Sequence, residues 1–267
     1  MSEVSTAVLV FVLLLIGTGI GVWVRPLLPE EHKAHETVQL VQLVIGMLVT
    51  FAALVLGLMT ASAKSDFDTA SNDLRTYAAD LIEFDTTLKA YGSDTDKPRH
   101  LLRAYVAAAI ASTWPREPHP PGDYYPKDID TPGSAQTLEN LRLGDMLNAV
   151  GDDVRQLHTQ DPMQQRVLDD ALTQFRRVVD ARWKILEEAH SSISQPFFKT
   201  LTFWLCVIFL SFGLIAPRNA LALVTIFLGA VSIASAIYVI VDLDTPFTGP
   251  IVISSSPMRD ALFHLSR

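Results

Sequence analysis

The chain has 267 residues, 49% of them hydrophobic, and a mean hydropathy of +0.27. That is too apolar for an ordinary soluble domain, and the apolar residues gather in four runs. A formal charge of −8, a pI near 5.3 and no basic cluster longer than two residues argue against a nucleic-acid partner. The single cysteine, Cys206, rules out an intrachain disulfide and a cysteine-based metal site.

The first apolar run, Thr6–Val24, is preceded by Glu3 and by no Lys or Arg, and no Ala-x-Ala-like site follows it. It reads as a retained membrane span rather than a cleaved signal. Gly17, Gly19 and Gly21 near its end permit close helix contact, Trp23 sits at an interfacial position, and Arg25-Pro26 ends the helix. A short polar connector, Arg25–Glu36, leads to the second run.

Thr37–Tyr91 contains no proline. Its first half, Val38–Ala63, is long and apolar enough to cross a bilayer, and its charged second half, Lys64–Tyr91, cannot remain in lipid. One heptad position runs through both: Gln39, Gly46, Ala53, Thr60, Phe67, Leu74, Leu81, Leu88. In the soluble half this becomes a seam, Phe67, Ala70, Leu74, Tyr77, Leu81, Phe84, Leu88, Tyr91. The spacing predicts one helix about 80 Å long at about 1.5 Å per residue, stopped at Gly92. A pair of helices broken near Ser62–Ser65 is the alternative.

After a turn at Asp94–Pro98, Arg99–Trp114 reads as an Ala-rich helix and Pro115–Gly133 as a proline-rich loop carrying Tyr124-Tyr125. Thr137–His158 is a third soluble helix, and a fourth runs from Pro162 to Ser194. The seam of the fourth, Leu168, Leu172, Phe175, Val179, Arg182, Leu186, Ala189, Ile193, matches the first, which predicts an antiparallel pair. Arg182 in that seam would pair with Asp80 or Asp85, or snorkel. Phe197–Ala216 and Ala220–Val241 are the third and fourth spans, joined by Pro217-Arg218-Asn219. Ser256 as N-cap and Pro257 as first residue open a terminal helix, Met258–Leu265.

The expected architecture is therefore an all-α membrane protein. Residues 1–63 form a transmembrane hairpin (spans 6–24 and 38–63), 64–195 a helical domain, 196–241 a second hairpin (spans 197–216 and 220–241), and 242–267 a tail. Four spans place both termini and the helical domain on one side. That side carries Lys64, Arg75, Arg182, Lys184, Lys199 and Arg259 near the membrane ends, against Arg25, Lys33 and Arg218 opposite. The balance points to a cytoplasmic domain and tail in an inner-membrane protein.

No nucleophile elbow, Walker loop, dinucleotide fingerprint or zinc-protease motif is present, so no enzymatic constellation is expected. The span interiors lack Asp, Glu, Lys, Arg and His, which argues against ion-coupled transport. They offer instead small and hydroxyl residues: Gly46, Thr50, Ala53, Gly57 and Thr60 on the second span, and Thr225, Gly229, Ser232 and Ala236 on the fourth. On the fourth this reads as helix packing. On the second, packing and a pore lining completed by oligomerisation stand as equal readings. Asp242 and Asp244, at the exit of the fourth span and followed by a Pro/Gly turn, have the chemistry to hold Ca²⁺ or another hard cation, or to cap helices and pair with an arginine.

Several stretches resemble the bestrophin-like membrane proteins of bacteria and plants. They are Gly57-Leu-Met-Thr-Ala-Ser-Ala63, Leu81–Asp85 with Leu88 and Tyr91-Gly92, Arg99–Val106, Phe203-Trp204, Phe212-Gly213, the tail Asp242–Gly249, and Ile253-Ser254. The resemblance covers nearly the whole chain. It implies similarity to bestrophins: pentameric anion channels with four membrane helices per subunit, a pore lined by the second helix, and cytoplasmic acids that can bind Ca²⁺. This chain departs from that pattern in having no proline and only Phe51 as an aromatic in its second span. The expectation is a homo-oligomer in a lipid bilayer conducting small anions. The rival is a non-conducting scaffold whose helical bundle binds a partner protein.

Overall fold

A computed structural model describes residues 3–29, 35–127, 141–159, 161–189, 195–217 and 219–267. The elements are α1 (Glu3–Val24), α2 (His35–Tyr91), α3 (Asp96–Thr113), α4 (Leu141–Arg155), α5 (Pro162–Glu188), α6 (Gln195–Ile215), α7 (Ala220–Leu243) and α8 (Ser256–His264). No strand occurs among the described residues. Four helices, α1, α2, α6 and α7, are long and apolar enough to cross a membrane. The chain divides into two compact units: residues 1–66 with 192–244, and residues 67–191 with 245–267.

Proline-free α2 is a single helix of 57 residues with no break at Ser62–Ser65. It stops at Gly92, whose φ of 123° is open to glycine and strained for any other residue. Other boundaries move by about a turn, and the end of α5 by six residues. The third soluble helix begins its described part at Leu141, α5 ends at Glu188, and Ser255 rather than Ser256 holds the N-cap position of α8. Ser255 Oγ is instead turned to the Glu117 carboxylate, so it makes no side-chain cap bond. Asp161 caps α5 with bonds from the Met163 and Gln164 N–H groups. Residues 128–140, 190–194 and Arg218 lie outside the described residues, and with them part of the proline-rich loop, Ile193 of the seam and the middle of the Pro217–Asn219 turn.

In the first unit, α1, α6 and α7 pack around Val10, Leu14, Leu201, Ile208, Phe209, Ala230 and Ile237. Gly17 and Gly21 lie directly against the α6 backbone at Cys206, Leu210 and Gly213, while Gly19 faces open space. A Cβ on Gly21 or Gly213 would collide with opposing backbone, so two of the three spaced glycines set the α1–α6 approach. Arg25 turns back to donate to the Ala216 carbonyl. The fourth-span expectation needs correcting. The packed strip of α7 is Ala230, Ala234, Ile237 and Ile240, while Thr225 and Ser232 are exposed. The buried stripe is offset from the expected one, whose Gly229 and Ala236 are half-buried.

The second unit is a helical bundle built on the soluble half of α2. Ala70, Leu74, Tyr77, Leu81, Phe84, Leu88 and Tyr91 are all buried, and Phe67 packs against them. Phe84 meets Phe175 at 5.7 Å between ring centres, Gln174 Nε2 donates to Glu83 at 3.0 Å, and Lys184 reaches Asp73 at 2.8 Å. These pairings run α2 and α5 antiparallel. The α5 seam is wider than a heptad line, burying Ala171, Val178 and Ile185 and leaving Leu172 and Val179 partly covered. A helix wedged against α2 and α4 together needs such a stripe.

Of the two acids expected to meet Arg182, Asp85 is held by another arginine. It forms a two-pronged pair with Arg99, at 2.8 and 3.2 Å. Arg182 is buried and donates to the Tyr105 hydroxyl, which meets Tyr77 at 2.5 Å. Nearby, burial and the hydrogen-bonded charge of Asp73 push the Glu188 carboxyl up to about 7. Asp73 is held below its ordinary range, because bonds from Glu188 and Lys184 overcome the upward effect of burial.

Candidate functional site: the open face of the second span

α2 presents three strips within the membrane unit. Ile45 and Ala52 are buried against the core and Ala63 is also buried, with Val41, Leu48, Val55, Leu56 and Met59 partly covered. Roughly a third of the circumference away, at 3.6 residues per turn, lie Gly46, Thr50, Ala53, Gly57 and Thr60. All five are exposed. Between these strips on the outer side stand bulky exposed groups, among them Leu40, Leu43, Met47, Leu54 and Leu58.

Of the four spans, α2 is the least covered: 11% of its most apolar window is buried, against 33% for α1 and for α6. A helix so little covered by its own chain must meet lipid or other chains. Bulky side chains suit that role. The small strip does not need lipid contact, and a Cβ added to Gly46 or Gly57 would meet nothing within 4 Å. The glycines are therefore not explained by packing within the chain.

The hydroxyls on the strip are satisfied locally. Thr50 Oγ1 donates to the Gly46 carbonyl at 2.9 Å and Thr60 Oγ1 to Leu56 at 2.8 Å. Each leaves oxygen lone pairs toward the open side and keeps its backbone bond within the helix. No side chain on the strip carries a formal charge. The strip borders a groove of about 730 Å³ between α2, α6 and α7, lined by Gly46, Phe209, Phe212, Thr225 and Gly229 among others.

Asp242 and Asp244 lie at the end of α7, and both are buried. Both are engaged electrostatically within the protein. Among the described residues no three His, Cys, Asp or Glu side chains come together as a metal-holding group. These two acids supply only part of the oxygen shell that Ca²⁺ takes. Sequence reasoning missed the Arg182–Tyr105–Tyr77 network and the Asp73–Glu188 pair. Both join residues far apart in the chain, and no local spacing signals them.

Four apolar spans, one of them part of a helix of 57 residues, define a polytopic membrane protein. Residues 12–258 match the model of the Bestrophin-like domain, and the chain belongs to that family, a family of membrane channels. Solved structures share the fold. A point variant of a bacterial bestrophin homologue from Klebsiella pneumoniae superposes with a TM-score of 0.63 at 16% identity, covering 100% of this chain and 99% of that one. Another variant of a homologue from the same organism gives 0.62 at 15%, covering 99% and 98%. A structure described as a membrane protein gives 0.63 at 15%, covering 98% and 97%. No curated protein matches the sequence.

Proposed function

We propose that the chain forms a homo-oligomeric channel, a pentamer by family resemblance, in which the α2 strips of several copies surround an axial path for small anions. The observation that carries this reading is the strip itself: Gly46, Thr50, Ala53, Gly57 and Thr60 are exposed, small and uncharged on the least covered span. Without fixed charge, such a lining selects by the cost of dehydration, so weakly hydrated anions pass most readily. The absence of an acidic ring removes the usual device for attracting cations.

Liposome flux and planar-bilayer recording test this. Permeability should rise from chloride through bromide and iodide to thiocyanate, and Thr50→Lys should assemble and shift the reversal potential further toward anions. Absence of any conductance across voltage, pH and calcium would favour the scaffold. Asp242 and Asp244 would supply two of the six to eight oxygen ligands of a Ca²⁺ site; flux unchanged by chelation would remove them from gating. The same reading places both termini and the 67–191 unit in the cytoplasm, supported by the distribution of Lys and Arg. Proteolysis of the loop at residues 115–127 in inverted inner-membrane vesicles checks it.

A further inference from the structure

A cavity of about 660 Å³ opens on the second unit, lined by Lys97, His100, Leu101, Arg103, Ala104 and Tyr124. Lys97, His100 and Arg103 stand at three-residue intervals on α3, so one face of the helix gathers three basic side chains in a chain of net charge −8. Their states differ. Lys97 is largely exposed and pairs with Asp153 at 2.7 Å. His100 is exposed. Arg103 is half-buried, and its Nε is shielded from solvent with no hydrogen-bond partner. Among the described residues no carboxylate pairs with it.

The wall opposite α3 is held in place by the loop. Gly122 adopts φ 110°, and a Cβ there would strike the Tyr124 ring at 2.7 Å. Only glycine gives both the turn and the room for that ring. Tyr125 is buried, donates to the Pro120 carbonyl at 2.7 Å and packs edge-on against Tyr124 at 5.4 Å. Tyr124 is thereby laid over the Arg103 guanidinium, 4.4 Å from the ring centre. The ring orients the guanidinium, and Arg103 lines the cavity with no carboxylate partner among the described residues.

We infer that this cavity binds a small monocarboxylate with an apolar body. Arg103 supplies a charge-assisted hydrogen bond from a fork that matches a carboxylate. His100 adds a second polar contact at the mouth. Lys97, already shared with Asp153, contributes weakly. Leu101, Ala104 and the Tyr124 ring take the hydrocarbon part. With one unpaired cation and apolar walls, the site suits a single negative charge on an apolar acid better than a multiply charged, fully polar anion.

The test uses the full chain in lipid nanodiscs, with empty nanodiscs subtracted, and calorimetric titration with cyclohexanecarboxylate. Saturable binding at one acid per chain is expected. The neutral cyclohexanecarboxamide should not bind, and inorganic phosphate should bind much more weakly. Arg103→Gln should lower affinity about tenfold or more, the scale of one lost charge-assisted bond. His100→Gln, at an exposed position that cannot unfold the bundle, should lower it by a smaller factor. Tyr124→Ala should weaken the acid by removing its apolar wall. The inference is overturned if the acid does not bind, if phosphate competes equally, or if Arg103→Gln and His100→Gln both bind as the wild type does. Binding is read without any current, so this outcome is independent of whether the chain conducts.

Discussion

The two halves of α2 share one helix and one heptad position, yet they are used in opposite ways. From Phe67 onward that position is filled by Leu74, Leu81 and Leu88, which are completely or almost completely buried. Before it, the same register carries Gly46, Ala53 and Thr60, which stay exposed among the described residues. The soluble half spends its seam on folding, since water makes apolar burial favourable. In lipid that driving force is absent, so the membrane half is free to leave a strip of small residues unfilled. A periodic pattern thus has two meanings, and the surrounding medium decides between them.

The largest effect should come from placing a charge in the filled half. Leu81→Asp would bury an unpaired carboxylate, and a loss of more than about 4 kcal/mol is expected. Phe84→Ala, which empties the contact with Phe175, should cost about 3–5 kcal/mol. Thermal or denaturant unfolding of the purified protein reads both. Near-native melting of Leu81→Asp would mean that the seam is not the core of the bundle.

Next comes the pair that ties α2 to α3. Asp85 is buried and Arg99 largely so, and Arg99→Ala leaves the carboxylate without its main partner at a cost of about 3 kcal/mol. Replacing both Asp85 and Arg99 by apolar residues should recover much of that loss. A double variant no better than the single one would assign the cost to lost packing instead.

In the membrane half the same kind of substitution should separate the strips. Leu54→Lys places a charge on the bulky outer strip and should cost about 2.5–3.5 kcal/mol on insertion scales, seen as poor assembly. Val55→Lys should also fail, because Val55 packs against the membrane core. Thr50→Lys should assemble. Equal tolerance at all three positions would erase the distinction between the strips.

The smallest effect concerns pH. The Glu188 carboxyl is raised from 4.5 to about 7, so between those values the folded state holds a proton that the unfolded chain releases. Stability from this group is therefore complete below about 4.5, falls as pH rises, and is lost above about 7. Glu188→Gln should flatten that slope and raise the melting temperature at pH 8 relative to the wild type. A variant with the parental slope would place the titration elsewhere.

The sequence made the long helix, the four spans and the antiparallel seams legible, because each is written in local apolar spacing. Absence of proline from 37 to 91 and a glycine at 92 were enough to bound α2. Partner choice was not legible. Asp85 and Arg182 were both visible as charges in or near a seam, but which arginine met which acid depended on α3, whose approach no spacing encodes. The α7 stripe was misplaced because small residues and hydroxyls look alike whether they pack or stay open. The Arg103 cavity was invisible, since it needs the turn at Gly122 to bring Tyr124 over α3.

The central claim is that the small strip of α2 borders an aqueous path while its neighbouring strips do not. Single cysteines at Gly46, Thr50, Ala53, Gly57 and Thr60, and at Leu54 and Leu58, in a Cys206→Ser background, test it most directly when treated with a membrane-impermeant, negatively charged thiol reagent during anion-flux recording. The account predicts modification and altered flux at the first five positions and protection at Leu54 and Leu58. Modification of Leu54 and Leu58 with protection of the small strip would contradict it.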